Sequence, residues 1–355
     1  MLQRVKPRSF ILLLAVGAAV GVFRCTQNTA VDYPVLSCER HNIMHDRQVI
    51  IGVEDMAYDA QQNHIYISAY DRRHHADGGL YRLSPHDMGN IEKLKTPTPV
   101  QYPHGISLTR DGKTVSLNVI DRDLSDPKKI SASLRHFTWG DGTPEIIEDT
   151  TLPKTADSLC NANDVVVSDG QYFITSDHQS CRYSGRKREN VFQANSAHLL
   201  SFDLAKDAAI ETIIPKLYFA NGIALSQDHI YIAETRKKRL SIYDQTTERL
   251  KHRIDIALAG GPDNLTVTED GDLWAALHPS LMTFATYRAG WRQNAPSRVS
   301  RIKTNRQDGS NIKTYDIPSH IISGATVALQ VDNTLFLGAA FDTAIASCEL
   351  AEESK

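Results

Sequence analysis

A strand–turn–strand pattern recurs six times in this 355-residue chain, long helical periodicity is absent between the recurrences, and one cysteine lies near each end of the patterned region. Together these predict an all-β ring, a six-bladed β-propeller. The second strands of the six units read HIYISAYD from His64, TVSLNVID from Thr114, QYFITSDH from Gln171, HIYIAETR from His229, DLWAALHP from Asp272 and TLFLGAAF from Thr334. Their starts lie 50, 57, 58, 43 and 62 residues apart. Each follows a hairpin signal: DAQQN, RDG, SDG, SQD, EDG and VDN. Further strands such as GLYRLS from Gly79, HLLSFDL from His198 and RLSIYDQ from Arg239 fill the gaps. A pair of β-sandwiches explains the even spacing less well.

The N-terminus stands apart from this pattern. Arg4, Lys6 and Arg8 precede an apolar run from Phe10 to Phe23. The run has signal-peptide length and falls short of the ~20 residues that a spanning helix needs. No small-x-small cleavage site is obvious, so residues 1–28 read as a signal peptide or an uncleaved membrane anchor, and 29–355 as a single propeller catalytic domain. Within that domain the polar stretch from Gln179 to Gln193 is long for a hairpin and is expected to form an entrance loop. Residues 279–300, with Phe284, Tyr287 and Trp291, are expected to form a helical insertion or a lid. The run Arg236-Lys237-Lys238-Arg239 reads as a solvated turn.

Composition narrows the partners. Lysine plus arginine number 39 and aspartate plus glutamate 42, a net charge of −3. With no basic face and no reader motif, no nucleic-acid partner is expected. Export permits disulfides, and besides Cys25 four cysteines remain, which allow three connectivities. A Cys38–Cys348 bridge would close the chain into a ring, with Cys160–Cys181 as the second pair. The expected location is secreted or membrane-anchored, facing an oxidising extracytoplasmic compartment. The only Asn-x-Ser/Thr sequon, at Asn264, falls on a residue with another expected role.

That role emerges eight to ten residues before each second strand, where the first strand of the hairpin begins. The starts read Glu54-Asp55, His104-Gly105, Asn163-Asp164, Asn221-Gly222, Asp263-Asn264 and, in the sixth unit, Ser323-Gly324-Ala325. Innermost propeller strands line the axis, so equivalent starts converge at one depth. Glu54, Asp263, Asn163, Asn221 and Asn264 make a hard oxygen shell with formal charge −2, which suits Ca2+ better than Zn2+ or Mg2+. Asp55 and Asp164 sit one residue further along and point the other way. They would hold a second, deeper ion with backbone carbonyls, which makes two calcium sites.

These residues carry a likeness. The chain resembles the serum paraoxonase/arylesterase family of calcium-dependent lactonases in GVEDMAYD (52–59), PHGIS (103–107), NANDVVV (161–167), FANGIALSQDHIYIAE (219–234), DNLTV…GDLWAALHP (263–279) and GATVA…CEL (324–350). The resemblance implies a six-bladed propeller with two central calcium ions. It implies a catalytic ion on Glu54, Asn163, Asn221, Asp263 and Asn264, and a structural ion on Asp55, Asp164 and the carbonyl of Ile106. It also implies a Cys38–Cys348 disulfide and an N-terminal segment retained as an attachment to membrane or lipid particle. The family's active site looks like a pair of histidines. The first matches His104; the second should fall within Ile120-Asp121-Arg122, where no histidine stands.

The expected activity is hydrolysis of a small-molecule lactone or aryl ester. Calcium would polarise the carbonyl, His104 would take a proton from water, and Asp121, in place of the second histidine, would orient the imidazole. A second route makes Asp263 the base. Tyr70, His278 and Asp177, at strand ends, are further pocket candidates. The alternatives are a calcium-stabilised binding propeller without enzymatic activity, and an organophosphate hydrolase using the same site.

Overall fold

Six four-stranded antiparallel sheets follow one another along the chain in the computed structural model, which describes residues 31–141, 146, 148–152, 159–203, 209–226, 228–246, 250–304 and 311–351. The residues expected to be targeting, 1–28, lie outside the described residues. The first five blades open on the innermost strands Val53–Asp59, Pro103–Asp111, Ala162–Ser168, Ala220–Leu225 and Gly261–Val267 and run outward in sequence order. The sixth opens on Val327–Val331, continues through Thr334–Gly338 and Ala344–Glu349, and takes its outermost strand, Cys38–Asn42, from the other end of the chain. Neighbouring innermost strands pack against each other all the way round, and the last packs on the first. The ring is therefore closed, as the repeats predict.

Closure is held in two ways. Cys38 and Cys348 are register partners across the closing strand pair and form a disulfide, bridging a sequence separation of 310 residues. Cys160–Cys181 forms the second disulfide. Both expected pairings are present, and both suit an oxidising compartment. Among the described residues no helix is long and apolar enough to cross a membrane.

The core is distributed over the blade interfaces. Six hydrophobic clusters each join two adjacent blades. Tyr66 and Leu80 of the first blade meet Phe137 and Trp139 of the second, and Val53 and Ile67 of the first meet Val327 and Phe336 of the sixth. The remaining four clusters close the other interfaces. Both faces of a blade are covered, so second strands such as His64–Asp71 are buried at six consecutive positions instead of alternating. Burying each large aliphatic side chain contributes about 1.5–3 kcal/mol. Asn264, the sequon asparagine, is wholly buried.

Two helices interrupt the β pattern. Helix α1, Tyr183–Val191, forms inside the stretch expected to be an entrance loop. Helix α2, Leu281–Arg288, occupies the expected helical insertion, with Ser280 capping its N-terminus by accepting from the Thr283 N–H at 3.2 Å. The basic run is a turn, as expected, with a 3-10 turn at Thr235–Lys237 and Lys238 left-handed at φ 51°. It is not wholly solvated. Arg236 donates to Asn190 at 2.6 Å, and Arg239 pairs with buried Glu234 at 2.6 Å.

Candidate active site

In the first five blades the innermost strand slips register against its neighbour at one equivalent place. The slips fall between Val53 and Asp55, Pro103 and Ile106, Ala162 and Val165, Ala220 and Ile223, and Pro262 and Leu265. Glu54, His104-Gly105, Asn163-Asp164, Asn221-Gly222 and Asp263-Asn264 occupy or border those slips. A bulge re-aims a side chain, and here it does so around a ring of neighbouring strands. The sixth innermost strand pairs without a slip. The residues just before it are Ala325-Thr326, where spacing predicts Ser323-Gly324-Ala325, and that blade offers no carboxylate or amide there. Two glycines make the crowding tolerable. A Cβ on Gly105 would lie 2.7 Å from the Asn163 carbonyl oxygen, and one on Gly222 would lie 2.5 Å from that of Asp263.

Glu54, Asn163, Asn221, Asp263 and Asn264 are each at most 5 % exposed. Each keeps one buried oxygen without a hydrogen-bond partner: Glu54 Oε2 and the Oδ1 atoms of the other four. Such an atom costs about 1–3 kcal/mol. Ten buried side-chain polar atoms lack a hydrogen bond among the described residues, and eight belong to this site, the others here being Arg72 Nη2, His104 Nδ1 and His278 Nδ1. That concentration marks a ligand site, because native proteins satisfy buried polar atoms elsewhere. The donor set, two carboxylates and three amides, fits a hard cation of the calcium type. Among the described residues no three His, Cys, Asp or Glu side chains gather as a metal cluster; the set here is mostly amide. Burial raises the Glu54 carboxyl above its ordinary range, Arg72 at 3.1 Å opposes this, and Asp263 adds to it.

Asp55 and Asp164 are built differently. Asp55 accepts from the Met56 N–H at 2.9 Å and the Ile106 N–H at 2.8 Å. Asp164 accepts from the Val165 N–H at 2.7 Å and the Ile223 N–H at 2.9 Å. Each carboxylate thus ties its blade to the next. Burial pushes Asp55 up to about 7 despite those amides. Burial and then the charge of Asp55 push Asp164 well above the carboxylate range. Each oxygen retains a second lone pair, so these two side chains also fit a cation. For Ile106, the group in contact with Asp55 is its N–H.

Two imidazoles reach the site, His104 and the pocket candidate His278, whereas Asp121, expected beside His104, does not. His104 is buried, with Nδ1 3.3 Å from Glu54 Oε1. Burial, then the charges of Arg122 and Arg72, hold it well below the usual histidine range, so it is neutral. His278, from the second strand of the fifth blade, donates from Nε2 to Asp263 Oδ2 at 2.7 Å and stacks on Phe284 of α2 with centroids 3.6 Å apart. Asp121 does not meet His104. It accepts from the Tyr102 N–H at 3.0 Å and lies 3.7 Å from Arg135. Successive strand residues point to opposite faces, and it is the next residue, Arg122, whose charge His104 feels. Asp177 is buried and held well below the carboxylate range, because Arg186, His178 and Arg122 outweigh the effect of burial. It positions Arg122 and helix α1, whose Arg186 lies 3.2 Å away. Tyr70 carries the Arg72 guanidinium 4.0 Å above its ring and packs edge-on against Tyr102. The arginines were not singled out in the sequence; nothing in their spacing separates them from surface cations. A cavity of about 220 Å3 lies off the axis, beside Cys160, Asn161 and Gln179.

Fold and site together define a six-bladed propeller with a buried polar site on its axis. The chain belongs to the arylesterase family, whose model matches residues 90–350. It is 28 % identical over 238 residues to strictosidine synthase-like 4 of Arabidopsis thaliana, covering 65 % of this chain and 57 % of that protein. It is 39 % identical over 87 residues to strictosidine synthase-like 7 of the same plant, covering 24 % of this chain and 23 % of that one. The chain thus spans about half the length of the first of these relatives and less of the second. Among solved structures, a luciferin-regenerating enzyme superposes with TM-score 0.56 at 14 % identity, over 89 % of this chain and 96 % of that one. A Xanthomonas campestris gluconolactonase does so with TM-score 0.55 at 13 % identity, over 92 % and 99 %. The calcium-binding protein regucalcin of Agrobacterium tumefaciens gives 0.51 at 14 %, over 90 % and 96 %. At such identities these three establish the fold alone.

Proposed function

We propose that the protein is a calcium-dependent hydrolase of lactones or aryl esters working at the axial site. The observation that carries this reading is the ring of five buried oxygens without a hydrogen bond on Glu54, Asn163, Asn221, Asp263 and Asn264, of which only that of Glu54 is ion-paired, with Arg72, beside a buried neutral imidazole. A cation bound there supplies electrophilic polarisation of a carbonyl. A second ion on Asp55 and Asp164 would be structural. The Glu54 carboxylate favours the His104 proton on Nδ1, which leaves Nε2 to accept a proton from the attacking water. His278 holds Asp263 by Oδ2, which leaves Oδ1 for the cation. Helix α2 covers that side through Phe284. On the same reading the protein is exported, and its N-terminal apolar segment attaches it to a membrane or lipid particle; fractionation with and without residues 1–28 tests this.

The test of the activity is turnover of a long-chain lactone, a short-chain lactone and phenyl acetate, with calcium and with a chelator. Turnover should be abolished by the chelator and restored by calcium. His104→Gln should lower kcat by about 10²–10⁴-fold while calcium binding is kept. A folded, calcium-binding protein that turns over none of the three would overturn the reading and favour the binding propeller.

A further inference from the structure

Helix α1 buries none of its residues, and Val191 and Phe192 at its end are 69 % and 74 % exposed. A nine-residue helix without a buried face is marginal in water. Polar contacts seat it. Arg186 donates to Asp177 at 3.2 Å and to Asn161. Asn190 accepts from Arg236 at 2.6 Å and lies 2.9 Å from His178 Nε2. Glu189 accepts from the Gln179 and Ser180 N–H groups at 3.1 and 2.9 Å. Just before the helix, the Cys181 carbonyl accepts from the Ile130 N–H at 2.9 Å and the Tyr183 N–H donates to Lys128 at 3.1 Å. The covalent tie is the Cys160–Cys181 disulfide.

The two disulfides differ in what remains when they are cut. Cys38–Cys348 lies within a strand pair of five register partners, and Cys348 is wholly buried, so the ladder persists without the bridge. Cys160–Cys181 closes a separation of only 21 residues, and what it holds is the helix without a buried face. Its sulfurs are also within reach. Cys181 is half-buried, and the cavity of about 220 Å3, lined by Asn161, Ser176, Gln179 and His198, reaches Cys160. Accessible disulfides are the ones that exchange with thiols.

The far end of this tie is the axial site. Asp177, which takes Arg186, also takes Arg122 at 3.3 Å. Arg122 in turn donates at 2.9 Å to the carbonyl of Ala162, beside Asn163.

We propose that Cys160–Cys181 is a site of reversible thiol–disulfide exchange with a small thiol, and that its reduction releases α1 from the rim of the axial site. A thiolate attacks Cys160 Sγ from the cavity, the Cys160–Cys181 bond breaks, and Cys181 leaves as a thiolate that takes a proton. A second thiolate attacks the incoming sulfur of the mixed disulfide, frees Cys160 and leaves as the oxidised disulfide of the reductant. Arg186 then parts from Asp177, which loosens Arg122. The site is complete only in the oxidised protein. The effect on turnover rests on the hydrolase reading; the release of α1 does not.

The experiment treats the full chain with graded dithiothreitol, alkylates and maps the thiols by mass, and follows trypsin cleavage. Cys160 and Cys181 should be labelled before Cys38 and Cys348. Cutting after Lys187 and Arg188, both exposed on α1, should quicken about tenfold or more while cutting elsewhere keeps its rate. Reoxidation should restore slow cutting. The Cys160→Ser/Cys181→Ser variant should be cut at the fast rate with or without reductant; if it does not fold, the wild-type arm still decides. Unchanged cutting after the pair is labelled, simultaneous labelling of all four cysteines, or quickened cutting throughout the chain overturns the proposal. Phenyl acetate turnover should fall about tenfold on reduction and recover on reoxidation, and turnover indifferent to the release of α1 overturns the link to the site. If neither state hydrolyses phenyl acetate or the two lactones while α1 is still released, the hydrolase reading fails and the exchange site stands.

Discussion

Glu54 and Asp55 are neighbours on one strand, as Asn163 and Asp164 are on another, and the two members of each pair are built in opposite ways. The first of each keeps a buried oxygen without a hydrogen bond, which for Glu54 is met only by the Arg72 ion pair. The second gives each carboxylate oxygen a backbone N–H, one of them from the adjacent blade. The outer set is costly without a ligand and contributes little to holding the ring together. The deep set fastens the first blade to the second and the third to the fourth whether or not a cation is present. One residue of offset, set by a bulge, separates a binding surface from a structural tie.

Calcium should expose this difference most strongly. With Asp55 pushed up to about 7 and Asp164 above the carboxylate range, the calcium-free folded protein holds protons there that the unfolded chain releases. A raised folded pKa gives stability that is complete below the unfolded value, near 3.8 for Asp55, and lost as pH rises through about 7. Calcium-free protein should therefore lose stability between about pH 4 and 8. Asp177, held well below its ordinary range, works the other way: its contribution is present above that range and fades as pH falls through its depressed value. Excess calcium at about a thousand times its Kd should add about 4 kcal/mol at pH 8 and much less at pH 5. Urea melts at the two pH values, with calcium and with chelator, measure this. Equal calcium increments at both would break the assignment of the deep carboxylates to a cation.

Single substitutions sharpen the same contrast. Asp164→Ala leaves the Val165 and Ile223 N–H groups without acceptors and should cost about 2–4 kcal/mol even in chelator. Asn221→Ala removes an unsatisfied oxygen, so calcium-free stability should change by less than about 1 kcal/mol. Both should reduce the stabilisation by calcium. A calcium-free Asn221→Ala protein as damaged as Asp164→Ala would show that the outer ring is structural too.

What could be read without coordinates followed from recurrence. Six hairpins, five of them with an acid, amide or histidine at the equivalent start, point to the ring and the oxygen set, because each observation repeats and pattern outweighs local ambiguity. Three things were not legible. The sixth strand opens just after the expected Ser323-Gly324-Ala325, and without a bulge or polar pair nothing marks its start more closely. Helix α1 was read as a loop because its sequence, YSGRKRENV, has no buried residue to set a period and is held instead by Arg186 and its bond to Asp177. The partner of His104 was sought at Asp121 by alignment to a family pattern, although the direction of a side chain on a strand turns on a single residue.

That last point yields the smallest expected effect. Asp121 spends one oxygen on the Tyr102 N–H and lies at a weak 3.7 Å from Arg135. Asp121→Asn keeps an acceptor for the amide and loses only that long pair, so turnover should stay within about twofold. Arg122→Gln, one residue on, removes a charge that His104 feels and a donor to Asp177. It should raise the pH at which activity declines on the acid side, since a cation that disfavours protonated His104 is gone. Side-by-side pH profiles of the two variants decide the matter. If Asp121→Asn moves the acid limb and Arg122→Gln does not, then Asp121 orients the imidazole after all, and the strand faces the site in solution by its other edge.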